Sequence, residues 1–579
     1  MNRIVIRNLQ PVDNALQQLD IHPILRRVYA NRGIQSPEQL ETELNRLLSY
    51  HDLQGIAVAV DYLYTALQLQ QRILIVGDYD VDGATSTALM MRVLRKFGAK
   101  NVDFFIPDRF TYGYGLTTKI IELAAKRDPH LIITVDNGIT SITGIEAANA
   151  LGIKVIVTDH HLAGAELPPA AAIINPNQPE DKFASKNLAG VGVAFYVLLA
   201  LRAKLRQENW FILQNITEPN LANYLDLVAL GTVADVVSLD KNNRILVYQG
   251  LRRIQQGNCC IGITELLRQA NCNQACLTAK DLGYIISPRL NAAGRLQDMS
   301  VGVTCLLTDN RFQAQQIASQ LNKLNTERRN IEKKMQHEAW QVLANYETNM
   351  NVDLPIGLCL FNENWHQGVV GILASRIRDR FHRPVIAFAK SEEGMLKGSA
   401  RSIPGLHIRE VLSELFNQHP ELITKFGGHA QAAGVVIAAT NFTQFSQLFA
   451  QAASNCLTAA DLQGKLTSDG ELAIDDFSIE LAELLRDASP WGQGFAEPLF
   501  DNKFRLLQQR IVGGNHLKLM LGIENYTIPA IAFNIDTKSW PNQDCEYVHA
   551  AYCLDINEYL GQRSLQLVVK YLQPVMLER

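Results

Sequence analysis

A chain of 579 residues is too long for one hydrophobic core, so three to four domains are expected. Its 47% hydrophobic and 19% charged residues are those of an ordinary globular protein, and a formal net charge of −4 excludes a global electrostatic case for nucleic acid, so such a partner must be met by a local basic groove. The N-terminal MNRIVIRNLQPVDN lacks the apolar core of a signal peptide, and the longest uncharged run, Asn187 to Leu201, is too short to span a bilayer, so a cytoplasmic protein without a membrane partner is expected.

Residues 1 to about 45 carry scattered amphipathic pattern and read as a peripheral lead-in. A helix is expected to start at Ser36, because SPEQLETELNRLL supplies an N-cap, a proline at the first helical position and acids in the first turn. From Ile73 a regular alternation sets in: a strand to Val76, a helix from about Ala84 to Phe97, a strand from Val102 to Ile106 and a helix from about Thr117 to Lys126. A strand over 131–135, a helix stopped by Gly152 and a strand over 154–158 follow. Such apolar runs, separated by helical patterns, are buried parallel strands in successive βαβ units. After Pro176 the pattern turns helical, as far as LNKLNTERRNIEKKMQHEAWQVLA. That run lacks Gly and Pro, carries Lys323, Arg328, Arg329, Lys333 and Lys334, and reads as a linker helix. A second α/β module follows, with strand PIGLCLF, a helix across GVVGILASRIRDRF, strand PVIAFA and glycine-marked turns at KGSARS and FGGHAQAAG. Beyond Leu466, short alternating strands such as HLKLML, after the turn Gly513, Gly514, Asn515, and SLQLVVKYL indicate a small barrel or sandwich.

Three of the early strands end in carboxylates. ILIVGDYDVDGATS closes on Asp78, Asp80 and Asp82, LIITVDNG on Asp136, and VIVTDHH on Asp159, His160 and His161. Open parallel sheets bind ligands beyond the carboxyl ends of their strands. A lone Asp there is commonly a helix cap. Clustered carboxylates need a cation to be tolerable together, and an oxygen-rich set with imidazoles suits Mn²⁺ or Mg²⁺; two adjacent ions could clamp a phosphoryl group.

Other signals are weaker. Gly190 and Gly192 in LAGVGVAF mimic a dinucleotide fingerprint, but Phe195 takes the third glycine's place and no strand directly precedes, which argues against nicotinamide or flavin. The GSARS stretch at Gly398 to Ser402 and the GGH turn at Gly427 to His429 could cradle phosphates together with Arg401. The nine cysteines are odd in number and irregularly spaced, which argues for reduced thiols. Cys259, Cys260, Cys272 and Cys276 lack a CxxC pair and read as packing rather than zinc ligands.

Asp159, His160 and His161 spell the DHH signature, GDYDVDG and TVDNG look like its partner motifs, and ALGTVAD, ending in Asp235, looks like a fourth. With PDRFTYGYGL, SPRLNAAGR, WHQGVVGILASR, GSARS, FGGHAQAAG and PWGQGFAEPLF in that order, the chain resembles the DHH phosphoesterase superfamily and, within it, its bacterial single-strand-specific exonucleases. The resemblance covers Ile73 to the C-terminus. It implies a multidomain α/β protein: a lead-in over 1–45, a parallel-sheet DHH catalytic domain over 46–320, and a long connecting helix over 321–348. A smaller α/β DHHA1 nucleic-acid-binding domain over 349–460 and an OB-like β-barrel over 461–579 complete it.

The same resemblance implies 5′-3′ hydrolysis of single-stranded DNA to mononucleotides, in recombination and repair, with two Mn²⁺ or Mg²⁺ ions. The implied ligands are Asp80, Asp82, Asp136, His160 and Asp235, with Asp136 bridging. His161 is a further ligand or acts on the leaving-group side, and Asp78 and Asp159 orient the ligands. Arg289 and Asn291 position phosphate beside the metals, while Ser399, Arg401, Gly427, Gly428 and His429 grip the strand. A helicase and a single-strand-binding protein are implied as partners, and a monomer is expected. Three rivals stand beside this reading. A DHH phosphodiesterase acting on short oligonucleotides or cyclic dinucleotides is opposed by the linker helix and barrel, which a dinucleotide does not need. Inorganic pyrophosphatase is opposed by the excess of domains. A non-catalytic single-strand-binding scaffold is opposed by the complete acid and histidine set.

Overall fold

Near-continuous runs of Val, Ile and Leu can be buried on both faces, and in the computed structural model they are. Five strands form an all-parallel sheet in the order Val102–Phe105, Ile73–Gly77, Leu131–Val135, Lys154–Thr158, Ala172–Ile174. Within it Gly77 pairs with Val135, and Val135 with Thr158. Asp78, Asp136 and Asp159 therefore leave three adjacent strands at one level. Helices Val81–Lys96, Gly190–Gln207 and Leu225–Ala234 pack on each other beside the sheet. The structure describes residues 3–108, 110–113, 115–349, 354–391, 394–537, 539–559 and 561–575, with the backbone alone for 3, 345–349 and 559. Arg109 and Tyr114 of PDRFTYGYGL lie outside the described residues.

The chain divides into two compact units, residues 1–8 with 326–468, and residues 9–325 with 469–579. The division falls inside the 39-residue helix Arg311–Asn349, which contains the run read as a linker. The larger unit holds the parallel sheet and a closed barrel of strands in the order Phe500–Val512, His516–Ile523, Tyr526–Ala532, Gln562–Val575, Tyr547–Tyr559. Three of these run to 13 or 14 residues, longer than the short strands expected. The turn at Gly513 and Gly514, both with positive φ, stands where the sequence places it, between the first two.

The smaller unit holds a five-stranded sheet in the order Lys425–Gly428, Ala432–Ala438, Met395–Arg401, Val385–Lys390, Leu358–Phe361. It is antiparallel except for its last pair. The expected turns at KGSARS and FGG are strand instead. Gly398 is a packing glycine, since a Cβ there would lie 2.5 Å from Phe388 Cε1, and only the HAQ stretch between Gly428 and Ala432 forms the connection.

Two expectations for the N-terminal stretch fail. Ser36 opens only a four-residue 3₁₀ turn, Pro37–Leu40. The carbonyls that would continue a helix are taken by side chains from the helix Lys241–Gln255, with Arg244 Nη2 donating to Gln39 O and Gln249 Nε2 to Thr42 O, each at 2.8 Å. Nor is the stretch peripheral. Helix Pro23–Asn31 buries Leu25, Val28 and Tyr29, Tyr29 donates to Ala488 O at 3.0 Å, and Arg32 pairs with buried Asp469. Among the described residues no helix is long and apolar enough to cross a membrane.

Candidate metal centre

The GDYDVDG turn delivers two carboxylates by different means. Asp80 caps the helix Val81–Lys96, its Oδ1 accepting from the backbone N–H groups of Asp82 at 2.9 Å and Gly83 at 3.1 Å. Asp82, in the first turn, is buried, and its carboxylate receives the N-terminus of the helix Gly190–Gln207. Gly190 N–H donates to Oδ2 at 2.6 Å and Val191 N–H to Oδ1 at 2.8 Å, so amide donors and helix dipole both favour negative charge. This gives the GVG stretch its reason. A Cβ on Gly190 would lie 2.7 Å from Asp136 Cβ and 2.8 Å from its Oδ1. Gly231 is constrained likewise, since its Cβ would stand 3.0 Å from Asp82 Oδ1.

Asp136 leaves its strand with φ +62°, an uncommon conformation for a non-glycine residue that persists where the surroundings dictate it. Asn137, which sequence reasoning did not single out, helps to hold it. Buried Asn137 Nδ2 donates to Val76 O at 3.1 Å and to Val135 O at 2.9 Å, tying two strand ends together. The TVDNG motif could have signalled this, since short amides commonly brace a turn through the backbone.

His160 Nε2 lies 3.1 Å from Asp136 Oδ1, 3.4 Å from Asp235 Oδ2 and 3.9 Å from Asp82 Oδ2. Asp235 follows the helix Leu225–Ala234 as its C-cap. Three overlapping groups offer ligand atoms within 4.8 Å of one another: Asp136, His160 and His161; Asp82, His160 and Asp235; Asp78, Asp80 and Asp136. Asp78, expected as a support, thus also presents a ligand atom. Asp159 is in none of the groups. It accepts from Ile139 N–H at 2.9 Å, from the backbone of His160 and His161, and contacts His161 Nδ1 at 2.7 Å.

The electrostatics fit a cation. Burial, and then the neighbouring Asp80, push Asp82 up to about 7. Burial followed by the repulsion of Asp82 and Asp80 raises Asp136 and Asp235 well above the ordinary carboxylate range. Burial would also raise Asp159, but its hydrogen bond and charge partnership with His161 take it down to about 2. Burial lowers His161, and the same bond overrides it, holding the imidazole up at about 9. Carboxylates that repel one another while facing imidazole nitrogens form a donor set suited to Mn²⁺ or Mg²⁺, whose charge removes the repulsion.

Arg289 and Asn291 sit on the helix Ser287–Leu296, which continues from a π-helical turn, Leu282–Ile286. Arg289 Nη1 donates back to Ile285 O at 2.5 Å and Nε to Asn322 Oδ1 at 3.0 Å. The helix lies against the GDYD turn: a Cβ on Gly294 would fall 2.0 Å from Tyr79 O.

In the smaller unit, Ser399, Arg401, Gly427, Gly428 and His429 gather on one sheet. Gly434 pairs with both Ser399 and Gly427, Ala433 pairs with Gly428, and Ala432 pairs with Arg401 and accepts from His429 N–H at 2.8 Å. Arg401 Nη1 donates to Ser399 Oγ at 3.1 Å and to Ala400 O at 2.8 Å. Gly371, in the first turn of the helix Val370–Phe381, was missed by sequence reasoning. Its Cβ would lie 3.0 Å from Ser399 Oγ and 3.1 Å from Arg401 Nη2.

The cysteine cluster has no part in this. Burial pushes Cys259 and Cys272 up to about 11 and raises Cys260 well above the ordinary thiol value, so these are neutral thiols, and no metal-holding group among the described residues includes them.

Comparison with known proteins matches three families: the DHH family, N-terminal domain, over residues 72–232; the DHHA1 domain over 354–455; and the RecJ OB domain over 468–571. The single-stranded-DNA-specific exonuclease RecJ of Salmonella typhimurium is 52% identical over 572 residues, covering 98% of this chain and 99% of that one. The crystal structure of Thermus thermophilus RecJ in complex with Mn²⁺ superposes with a TM-score of 0.79 at 28% identity, covering 99% of this chain and 79% of that one. The complex with Mg²⁺ gives 0.74 at 27%, covering 99% and 78%.

Proposed function

The chain belongs to the RecJ family of single-stranded-DNA-specific exonucleases, and from that premise we propose that it hydrolyses single-stranded DNA 5′ to 3′, to mononucleotides, at the cluster around Asp136 and His160. The observation that carries this is the convergence of carboxylates and imidazoles from three strand ends and a helix end into overlapping groups within 4.8 Å.

Asp80, Asp82, Asp136, His160 and Asp235 would hold two divalent cations, Mn²⁺ or Mg²⁺, with Asp136 common to both; Asp78 and Asp159 support them. Cations bound there supply Lewis-acid charge at the scissile phosphate and lower the pKa of the attacking water. Arg289 steadies the charge that develops on the phosphate oxygens. His161, kept protonated by Asp159, is placed to give a proton to the departing 3′ oxygen. Ser399, Arg401 and the Gly427–His429 segment hold backbone phosphates of single-stranded DNA, and Asn291 assists at Arg289.

For the domains we propose the bounds drawn from the sequence: a DHH catalytic domain over 46–320, the helix over 321–348, a DHHA1 domain over 349–460 and an OB-like domain over 461–579. The reading is of a cytoplasmic monomer acting in recombination and repair on strands exposed by a helicase and coated by a single-strand-binding protein. A cyclic-dinucleotide phosphodiesterase is disfavoured, because the RecJ OB match and the closed barrel supply an oligonucleotide surface such a substrate does not use.

The test incubates 5′-free and 5′-blocked single strands with Mn²⁺, Mg²⁺ or chelator, beside Asp136→Ala. Stepwise release of mononucleotides from the free 5′ end only, abolished by chelator and by the substitution, is expected. Binding without cleavage under either metal would support a scaffold instead.

A further inference from the structure

Tyr284 is 76% exposed. It lies in the π-helical turn Leu282–Ile286. Turns of this kind are rare and are frequently found at functional sites. This one has two consequences for its neighbours. Gly283 packs against the helix that ends at Asp235, since a Cβ on it would meet Val233 Cγ1 at 3.3 Å. The carbonyl of Ile285 receives Arg289 Nη1 at 2.5 Å. The residue between Gly283 and Ile285 is therefore fixed by its backbone between the segment that presents Asp235 and the guanidinium of Arg289, with its ring in solvent.

The chain immediately after Asp235 points the same way. Val236 has φ +63° and is 63% exposed, although a β-branched side chain is a poor occupant of the left-handed region. Its N–H donates to Val233 O at 3.3 Å, which anchors this second exposed apolar side chain to the residue that Gly283 abuts. Neither exposed side chain adds to the core, and neither is called for by local conformation.

We propose that Tyr284 is a stacking platform for a nucleobase of the strand whose phosphate is held at the metal centre and Arg289. The inference rests on the nuclease reading above. An unpaired base presents a π-face whatever its identity, so an exposed ring one residue from the carbonyl that holds Arg289 would add affinity for single strands without reading sequence. The hydroxyl has no part in this, so phenylalanine should serve as well.

The test measures the first cleavage of a 5′-labelled single strand at increasing enzyme concentration, for wild type, Tyr284→Ala and Tyr284→Phe, with anisotropy binding of the same strands in parallel. Tyr284→Ala should raise the half-saturating concentration about 5- to 100-fold, with the maximal rate and melting temperature near wild type, and Tyr284→Phe should match wild type. Strands carrying one abasic nucleotide, stepped along the first several positions, identify the partner base. At one position wild type should weaken to the level of Tyr284→Ala and the difference between them should vanish. Equal half-saturation for wild type and Tyr284→Ala would overturn the proposal. So would a difference of constant size at every abasic position, as expected of a structural tyrosine. A wild type that binds strands without cutting them would sink the nuclease reading, while anisotropy would still decide the stacking claim.

Discussion

Stripped of divalent cations, the protein should lose stability as pH rises from about 4 to about 7, and restoring Mn²⁺ should offset a large part of the loss. Asp82 sets the scale. Burial and Asp80 carry its carboxyl from 3.8 to about 7 against the pull of the Val191 and Gly190 amides. A carboxyl with a raised folded pKa holds its proton more tightly in the native state than in the unfolded one. As pH climbs through the ordinary value the unfolded chain ionises first, and each unit up to the raised value favours unfolding by about 1.4 kcal/mol. Over about three units the sum is on the order of 4 kcal/mol, absent below pH ~4 and complete above pH ~7. Asp136 and Asp235 are raised in the same direction and add to it. A cation bound to the ionised cluster acts oppositely, contributing about 2.7 kcal/mol at a hundred times its Kd, and it competes with fewer protons as pH rises. Calorimetric melts in chelator and in Mn²⁺, from pH ~4.5 to ~8, read both effects, and Asp82→Asn should flatten the chelated profile. A chelated wild-type melting temperature that holds level or climbs over this range, with the same Mn²⁺ gain at each pH, would refute the reasoning.

Gly190→Ala should cost about 1–3 kcal/mol by overpacking, read from the urea midpoint, and a larger factor in turnover, because its Cβ would press on Asp136; an unchanged midpoint and rate would mean the two residues do not touch. Asp159→Asn should cut kcat by about 10²-fold and move the alkaline limb of the rate profile to lower pH, since the bond to Asp159 holds His161 up at about 9; a profile that does not move would free His161 from that partnership. Arg401→Ala should raise KM about tenfold with little change in kcat, and reduce the slope of log affinity against log salt by about one; an unaltered salt slope would remove Arg401 from the phosphate contacts.

The parallel sheet was legible because its strands are apolar on both faces and end in charge, two features that survive without tertiary context. Asp80, Asp82, Asp136 and His160 could be read as a cluster for the same reason, since the register sets Gly77, Val135 and Thr158 in one row. What was not legible depends on contacts distant in sequence. Gly190 looked like a failed phosphate loop, and only the fold reveals that its amide meets Asp82 and its missing Cβ makes room for Asp136. Ser36 carries every local signal for a helix, yet Arg244 and Gln249 capture the carbonyls that would have continued it. Gly398 resembled a turn because a glycine needed for packing is indistinguishable, in one dimension, from a glycine needed for positive φ.

These contacts explain how an arrangement that opposes its own formation stays in place. Burial and then neighbouring carboxylates, Asp80 for Asp82 and both of these for Asp136 and Asp235, raise all three pKa values, and Asp136 and Val236 stand at positive φ, so the site contributes instability. It is imposed from outside: by the register of the three strands, by Asn137 tying two of their ends, and by the helix that lays Gly190 and Val191 on Asp82. Because that frame is buried and close-packed, the carboxylates cannot spread apart to relieve their repulsion when deprotonated. The remaining routes are uptake of protons or of a divalent cation, and the first fades as pH rises. Cation affinity at this centre is therefore set by the rigidity of the frame as much as by the ligand atoms. Substitutions in the frame, such as Asn137→Ala, should consequently weaken Mn²⁺ binding without removing a single ligand.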